Sequence, residues 1–173
     1  MDRGSWPSAA VVLLALVCSG CGAAAKSPTA TVPMLPPGLV SAERVAGEQP
    51  DSAQRALLSW WRAVQFRDVE SALRLSDGIA IRSIGGVRAF RAAVQEVGDS
   101  LPGVVISESV EVSPNRLALR ALIVFYDDRG RTAGRSPLSF SMWRTSRGWQ
   151  LHDLSLLQDQ AAGIRKARAR ASR

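Results

Sequence analysis

Three titratable side chains lie on segments whose alternation of apolar and polar residues predicts β-strands with one buried face. Glu108 interrupts the apolar face of the first such strand, and His152 and Asp153 lie on the last. Desolvation raises the pKa of a carboxyl group buried on an apolar face, which lets it act as a general base or a hydrogen-bond donor. Glu108 is therefore the first candidate for acid–base chemistry, and an ion pair with a nearby arginine is its structural alternative.

Asp153 and His152 are the further candidates. A tight turn at Gly148 would place Asp153 beside Phe140 on the inward face of the last strand and His152 on the other face. A lone histidine is more often a structural or surface residue than a catalyst. The sequence therefore assigns no catalytic residue firmly, and Asp153 and His152 are weak candidates.

Sequence signatures of metals, phosphates and nucleophiles are missing. Asp127-Asp128 suggests a cation, but a calcium loop needs several oxygen ligands at fixed spacing, and arginines occupy the neighbouring positions. The chain has no G-x-S-x-G elbow, no phosphate loop and no zinc spacing. The sequence therefore predicts neither a metal nor a cofactor.

The two cysteines, in Cys18-Ser19-Gly20-Cys21, end an apolar run that follows Arg3. This is the layout of a secretory signal peptide, and the run is too short to favour a spanning helix. The segment resembles the lipobox of bacterial lipoproteins, which implies acylation of Cys21 and attachment to the extracytoplasmic face of the cell membrane. Ordinary secretion or an uncleaved anchor are alternatives, whereas a Cys-x-x-Cys redox site belongs at a helix start inside a folded domain.

Positive charge is concentrated at the C-terminus. Of the net charge of +7, five charges lie in the last nine residues, on Arg165, Lys166, Arg168, Arg170 and Arg173. The remaining chain is only weakly basic, which disfavours a nucleic-acid surface. Residues 158–173 are predicted to be a basic tail, either frayed in solvent or in contact with an anionic surface.

The longest alternating stretch, Val104–Phe125, predicts the β-hairpin that would position Glu108. A turn at Ser113–Arg116 places the apolar residues of both arms on one face, with Glu108 on that face opposite Ala121. Two further strands follow, one in which Leu138, Phe140 and Met142 alternate with other residues and a last one over Trp149–Leu157, so the second half of the chain is predicted to form four antiparallel strands.

Three helices and a short strand are predicted before the hairpin. The first helix begins at Asp51 or Ser52, the second spans Asp68–Leu75, and the third spans Val87–Val97. The short strand, Ile79–Ile84, lies between the second and third helices. The first helix carries Trp60-Trp61. We expect one of these rings to pack on the sheet and the other to close its rim.

This order of elements, with Asp68–Leu75 behind the first helix and a closing Gly148-Trp149-Gln150-Leu151, resembles the nuclear transport factor 2-like fold, which includes ketosteroid isomerases and polyketide cyclases. The resemblance implies an α+β, cystatin-like cone in which three N-terminal helices pack on a curved antiparallel sheet of four long strands plus one short strand. A pocket would open at one end, and its candidate lining residues are Trp60, Trp61, Glu108, Phe125, Phe140 and Asp153. Ketosteroid isomerase chemistry needs an aspartate base with a tyrosine and a protonated acid. The single tyrosine, Tyr126, does not match that constellation.

The sequence thus predicts a signal peptide over 1–20, a lipid-anchored Pro/Ala-rich tether over 21–50, the domain over 51–157 and the tail over 158–173. The expected function is that of a lipid-anchored envelope protein with a non-catalytic domain. That domain would bind a small apolar ligand or dock on an envelope partner, such as a transport system. The alternative is a small-molecule isomerase, dehydratase or cyclase that uses a pocket carboxylate, and a homodimer through the sheet is a third expectation.

Overall fold

The computed structural model describes residues 37–171, which belong to one compact unit, Met34–Arg173. The predicted signal peptide, Cys21 and the tether as far as residue 36 lie outside the described residues. The helices are α1 Ala42–Ala46, α2 Ala53–Gln65, α3 Val69–Arg74, α4 Gly78–Ser83, α5 Gly86–Val97 and α6 Ser155–Ala171. The strands are β1 Gly103–Ser113, β2 Arg116–Tyr126, β3 Thr132–Thr145 and β4 Gly148–Leu151.

The four strands form one antiparallel sheet in the order β1-β2-β3-β4. This confirms the predicted mixture of helices with a four-stranded antiparallel sheet. Five helices instead of the predicted three precede the sheet, and β4 has only 4 residues instead of being long. None of the helices within residues 37–171 is long and apolar enough to cross a membrane.

Capping residues fix where the two central helices begin. The Ser52 side chain accepts a hydrogen bond of 3.1 Å from the backbone N–H of Arg55 at the start of α2. Asp68 accepts an equivalent bond of 3.1 Å from Ser71 N–H at the start of α3. Such caps satisfy backbone donors that the first helical turn leaves unpaired, so these starts could be predicted from sequence.

The predicted strand Ile79–Ile84 is wrong, because this segment forms α4. Asp77 caps the helix by accepting from Ile79 N–H at 3.2 Å. Ala80 is buried and Ile81 and Ile84 pack against the core, whereas Ile79 is 51% exposed, so the buried positions follow helical spacing and not the period of two that a strand would require. The β-branched isoleucines of this segment favour a strand, but Asp77 just before them favours the start of a helix, and the helix is what forms.

The predicted turn of the hairpin is confirmed, since Ser113 pairs with Arg116, but the predicted register of its arms is wrong. Irregularities at Ser107 and Val112 each add one unpaired residue to β1. Glu108 consequently pairs with Arg120 instead of Ala121. Because a shift of one residue exchanges the two faces of a strand, Glu108 lies on the face opposite the core.

The last strand ends at Leu151, whereas the sequence predicted it to continue to Leu157. The segment after α3 pairs with the outer edge of β4: Leu151 N–H donates to Leu75 O at 2.8 Å and Asp77 N–H donates to Leu151 O at 2.9 Å. Beyond this edge, Asp153 accepts from Ser155 N–H at 2.8 Å as α6 begins. Much of the predicted tail is therefore helical.

Helix α6 packs on α5 through the buried side chains Leu157 and Ala161. The Arg165 guanidinium lies 2.6 Å from a Glu96 carboxylate oxygen, and Arg168 lies 3.7 Å from the other oxygen. The basic residues Arg165 and Arg168 are thus tied to α5 by ion pairs.

The tether was predicted to extend to residue 50, whereas residues 38–46 are packed onto the domain. Val40 is fully buried, and its N–H donates to Gln65 Oε1 at 2.9 Å. Gln65 Nε2 donates to Gly38 O at 3.0 Å and to Leu101 O at 3.2 Å. A buried amide side chain at the end of α2 therefore joins the N-terminal segment to the chain that enters β1.

We predict that Gln65→Ala lowers the free energy of unfolding by about 2–3 kcal/mol, because it leaves the buried Val40 N–H without an acceptor. Urea denaturation of the full chain measures this. The half-buried Gln54, on the same helix, provides the control. An equal loss of stability in Gln54→Ala would contradict the role given to Gln65.

Candidate functional site

The inner face of the sheet is covered by large buried side chains. Trp60 and Trp61 are 1% and 0% exposed, and Phe140 and Met142 are 3% and 0% exposed. Trp60 Nε1 donates to Ser76 Oγ at 2.9 Å, and Trp61 Nε1 donates to Pro102 O at 2.7 Å. The Trp61 and Phe140 rings meet edge to face at 5.5 Å. Both tryptophans are thus core residues with satisfied N–H groups, and neither closes an open rim as the sequence predicted.

Glu108 lies on the outer face of the sheet. Its carboxylate is 2.9 Å from the Arg120 guanidinium, and the two side chains are 51% and 64% exposed. Glu108 therefore forms the ion pair with an arginine that was the alternative to acid–base chemistry. An exposed pair of this kind contributes about 0–1 kcal/mol to stability.

The other pocket candidates lie away from the buried ring cluster. Phe125 is 40% exposed and, with Tyr126, lines a shallow cleft of about 380 Å³ next to Pro37. Asp153 is exposed and accepts from Ser155 N–H, instead of facing Phe140.

His152 forms a layered arrangement at the end of β4. Its Nδ1 is 2.8 Å from Asp77 Oδ2, and its ring stacks on Trp143 with centroids 3.6 Å apart. The Arg116 guanidinium covers Trp143, 4.1 Å from the ring centroid. This cluster links β2, β3 and the start of α4.

The predicted acid–base candidates are not brought together, because Glu108 lies on β1 and His152 follows β4, at opposite edges of the sheet. Within residues 37–171, no three His, Cys, Asp or Glu side chains form a group that could hold a metal ion. The arrangement therefore has no assembled acid–base constellation among the residues predicted from sequence.

Two adjoining clefts on the helical side of the domain have volumes of about 640 and 530 Å³ and share Ser59, Leu75 and Arg147. Four arginines line them, and we call the combined feature the arginine groove: Arg55 and Arg62 from α2, Arg74 from the end of α3, and Arg147 from the β3–β4 turn.

The α2 helix positions one side of the groove. Arg55, Ser59 and Arg62 are spaced by four and three residues, so they form one stripe along the helix. The remaining sides of α2 are largely buried. This stripe was missed by sequence reasoning, although its signal is present as polar residues at helical spacing on an otherwise apolar helix.

Two of the guanidiniums are oriented by neighbours. The Arg62 guanidinium lies 4.4 Å from the centroid of the Phe66 ring, and Arg74 Nη2 donates to Ser71 Oγ at 2.7 Å. Within residues 37–171, none of the four groove arginines forms an ion pair.

Two carboxylates also line the groove, Asp51 and Asp68. The hydrogen bonds from Ser71, through its side chain and its backbone N–H, hold the pKa of Asp68 below its usual range. Asp68 is thus an anion committed to capping α3. With four guanidiniums against two carboxylates, the groove carries an excess of positive charge.

Comparison with known proteins identifies distant structural neighbours. No family model matches the chain, and no curated protein matches it. A SEC-C motif containing protein from Psychrobacter arcticus is similar with a TM-score of 0.41 and 11% identity, over 64% of this chain and 65% of that one. A ketosteroid isomerase-like protein from Erwinia carotovora atroseptica SCRI1043 is similar with a TM-score of 0.39 and 14% identity, over 58% of this chain and 88% of that one. Likenesses at this level carry no conclusion about activity.

We predict that stability falls below about pH 4 in a way that depends partly on Asp68. Its pKa is lowered in the folded state, so its stabilising contribution is present at neutral pH and is lost as pH falls through the folded pKa. Asparagine is an equally good cap but does not titrate.

Asp68→Asn should therefore match the parent chain at pH 6 and lose less stability than the parent between pH 6 and pH 3, as measured by urea denaturation. Other acids titrate equally in both proteins, so the difference isolates Asp68. Identical pH dependence in the two proteins would contradict the assignment.

Proposed function

We propose that this chain is a lipid-anchored bacterial envelope protein, and that its domain is a non-catalytic accessory module that binds through its outer surface. The observation that carries the proposal is the occupied inner face of the sheet. A ligand cavity cannot occupy the volume that Trp60, Trp61 and Phe140 already fill with mutual contacts and satisfied N–H groups.

We assign the domain to the nuclear transport factor 2-like class on its layout. Five helices precede an antiparallel meander, among them the long α2, the short Asp-capped α3 and α4 and the further helix α5, and the helices cover one face of the sheet. That class hosts enzymes and binding modules alike, so the assignment supports the architecture and leaves the activity to the site. Glu108 on the outer face gives no support to the alternative isomerase, dehydratase or cyclase.

The lipid anchor is proposed from Cys21 and the apolar run before it. Sixteen residues, 22–37, separate Cys21 from the packed segment at Gly38, and the chain between them can span at most about 60 Å. Acylation would therefore keep the domain within that distance of the membrane surface, where it could meet an envelope partner such as a transport system.

We predict that Trp61→Ala creates an apolar cavity that binds indole, whereas the parent chain binds none. Removing a buried tryptophan costs about 3–5 kcal/mol, and an apolar ligand that fills the cavity should raise the melting temperature. Trp61→Phe, which keeps most of the ring volume, is the matched control. Stabilisation of the parent chain by indole to the same extent as Trp61→Ala would show that its interior is open and would overturn the proposal.

We predict that Cys21→Ser releases the protein from the acylated membrane pool of its native host. Mass spectrometry of the N-terminal peptide from the parent protein should show a lipid-modified Cys21 without residues 1–20. Cys18→Ser is the control and should leave the modification in place. An intact N-terminus with unmodified Cys21 would refute the anchor.

A further inference from the structure

The geometry points to the arginine groove as the binding site for a small anionic amphiphile, a molecule with one carboxylate or phosphate headgroup on an apolar chain. This inference deepens the proposed function, on which it rests, because it gives the outward-acting module a ligand class. The shared chemistry is an oxyanion joined to an apolar tail, whether the source is a fatty acid or a lipid phosphate.

The size and lining of the groove match a small-molecule site. Its clefts of about 640 and 530 Å³ each lie in the range of about 300–1,000 Å³ that such ligands occupy. Apolar side chains line both parts: Val45, Ala63, Phe66 and Leu75 in the first, and Ala56, Leu75 and Trp149 in the second. An alkyl chain along these residues would remove apolar surface from water.

The charge of the groove selects the headgroup. Guanidinium groups bind carboxylate and phosphate through paired N–H donors, which a neutral headgroup cannot exploit. Arg62 and Arg147 both line the larger cleft, and Arg147 also lines the second. A single headgroup near Arg147 would thus be within the reach of arginines from different elements while its chain extends along α2.

The groove differs from the basic helix α6, the other concentration of positive charge. On α6, Arg165 and Arg168 already pair with Glu96 of α5. In the groove, by contrast, Asp68 is committed to its cap and no carboxylate of residues 37–171 forms an ion pair with the four arginines. The groove therefore combines guanidiniums that form no ion pair within residues 37–171 with an apolar lining, whereas α6 offers charge over a largely polar surface.

An acidic peptide is the competing occupant. Its charges would also meet guanidiniums, but its backbone polar groups would lose their water against the apolar residues Phe66 and Leu75. The apolar lining thus favours an alkyl chain, and the peptide becomes an outcome of the test.

The test is isothermal titration of the full chain, in a fixed concentration of a non-ionic detergent, with octanoate, octyl phosphate, 1-octanol, inorganic phosphate and hexaglutamate. We expect octanoate or octyl phosphate to bind at least about tenfold more tightly than 1-octanol, because only the anions engage the arginines. The ratio of octanoate to octyl phosphate affinity, with competition by inorganic phosphate, identifies the headgroup. Anion affinity should fall as salt concentration rises.

Arg62→Gln/Arg147→Gln should weaken the anionic amphiphile about tenfold or more and leave 1-octanol unchanged. Arg82→Gln/Arg88→Gln removes the same charge from exposed positions on α4 and α5 and should change affinity less than about twofold. Each probe partitions into the detergent equally for all variants. The ratio of its affinities for two variants therefore reports binding in the groove. Melting temperatures establish that both double variants fold.

Three results would overturn the inference: equal binding of octanol and the anions, an equal loss in Arg82→Gln/Arg88→Gln, or hexaglutamate binding that exceeds the amphiphiles and is lost with Arg62 and Arg147. The state of Cys21 in the same host is measured separately. Loss of groove binding beside an acylated Cys21 refutes only the ligand class, whereas groove binding beside an unmodified Cys21 refutes only the anchor.

Discussion

The burial of two consecutive tryptophans on α2 is the constraint on which the rest of the structure depends. Neighbouring residues on a helix point about 100° apart, so a helix that buries both must be covered on more than one side. Trp61 meets Phe140 on the sheet and Pro102 before β1, whereas Trp60 donates to Ser76 beyond α3. Helix α2 is thereby enclosed by the sheet and by the α3–α4 segment. The stripe containing Arg55, Ser59 and Arg62 is left partly exposed.

The enclosure of α2 distinguishes between a ligand pocket inside the domain and a binding site on its outer surface. In a layout of helices against a sheet, the inner face is the natural place for a ligand, and here aromatic rings occupy it. The remaining stripe of α2 borders the arginine groove, where Arg74 and Arg147 come from other parts of the chain. The same packing that fills the interior therefore defines the exterior surface on which binding is proposed.

The parts of the fold that could be predicted from sequence are those specified by local chemistry. Ser52 and Asp68 cap helices through bonds to residues three positions ahead, and Ser113–Arg116 closes a two-residue turn. The register of β1 could not be predicted in this way. Its irregularity at Ser107 involves a contact between strands, because Ser107 Oγ donates to Arg120 O on β2.

The same difference between local chemistry and contacts of distant segments explains which residues of the candidate site could be predicted. A uniform register would bury Glu108, and one extra residue at Val112 is enough to move it outward beside Arg120. The groove, in contrast, is assembled from α2, the end of α3 and the β3–β4 turn, and no spacing in the sequence relates Arg62 to Arg147.

The groove also borders the segment by which the chain enters the domain. Val45, Pro50 and Asp51 line it, and Gln65 fixes the preceding Gly38–Val40 segment to the end of α2. If Cys21 is acylated as proposed, the sixteen residues between it and Gly38 limit the distance of this entry point from the membrane to about 60 Å. A groove at that position would lie close to the membrane that anchors the protein, and an anionic ligand could come from that membrane. Fixing the entry point by Gln65 would then matter for function as well as for stability, because it keeps the groove next to the point where the anchored segment joins the domain.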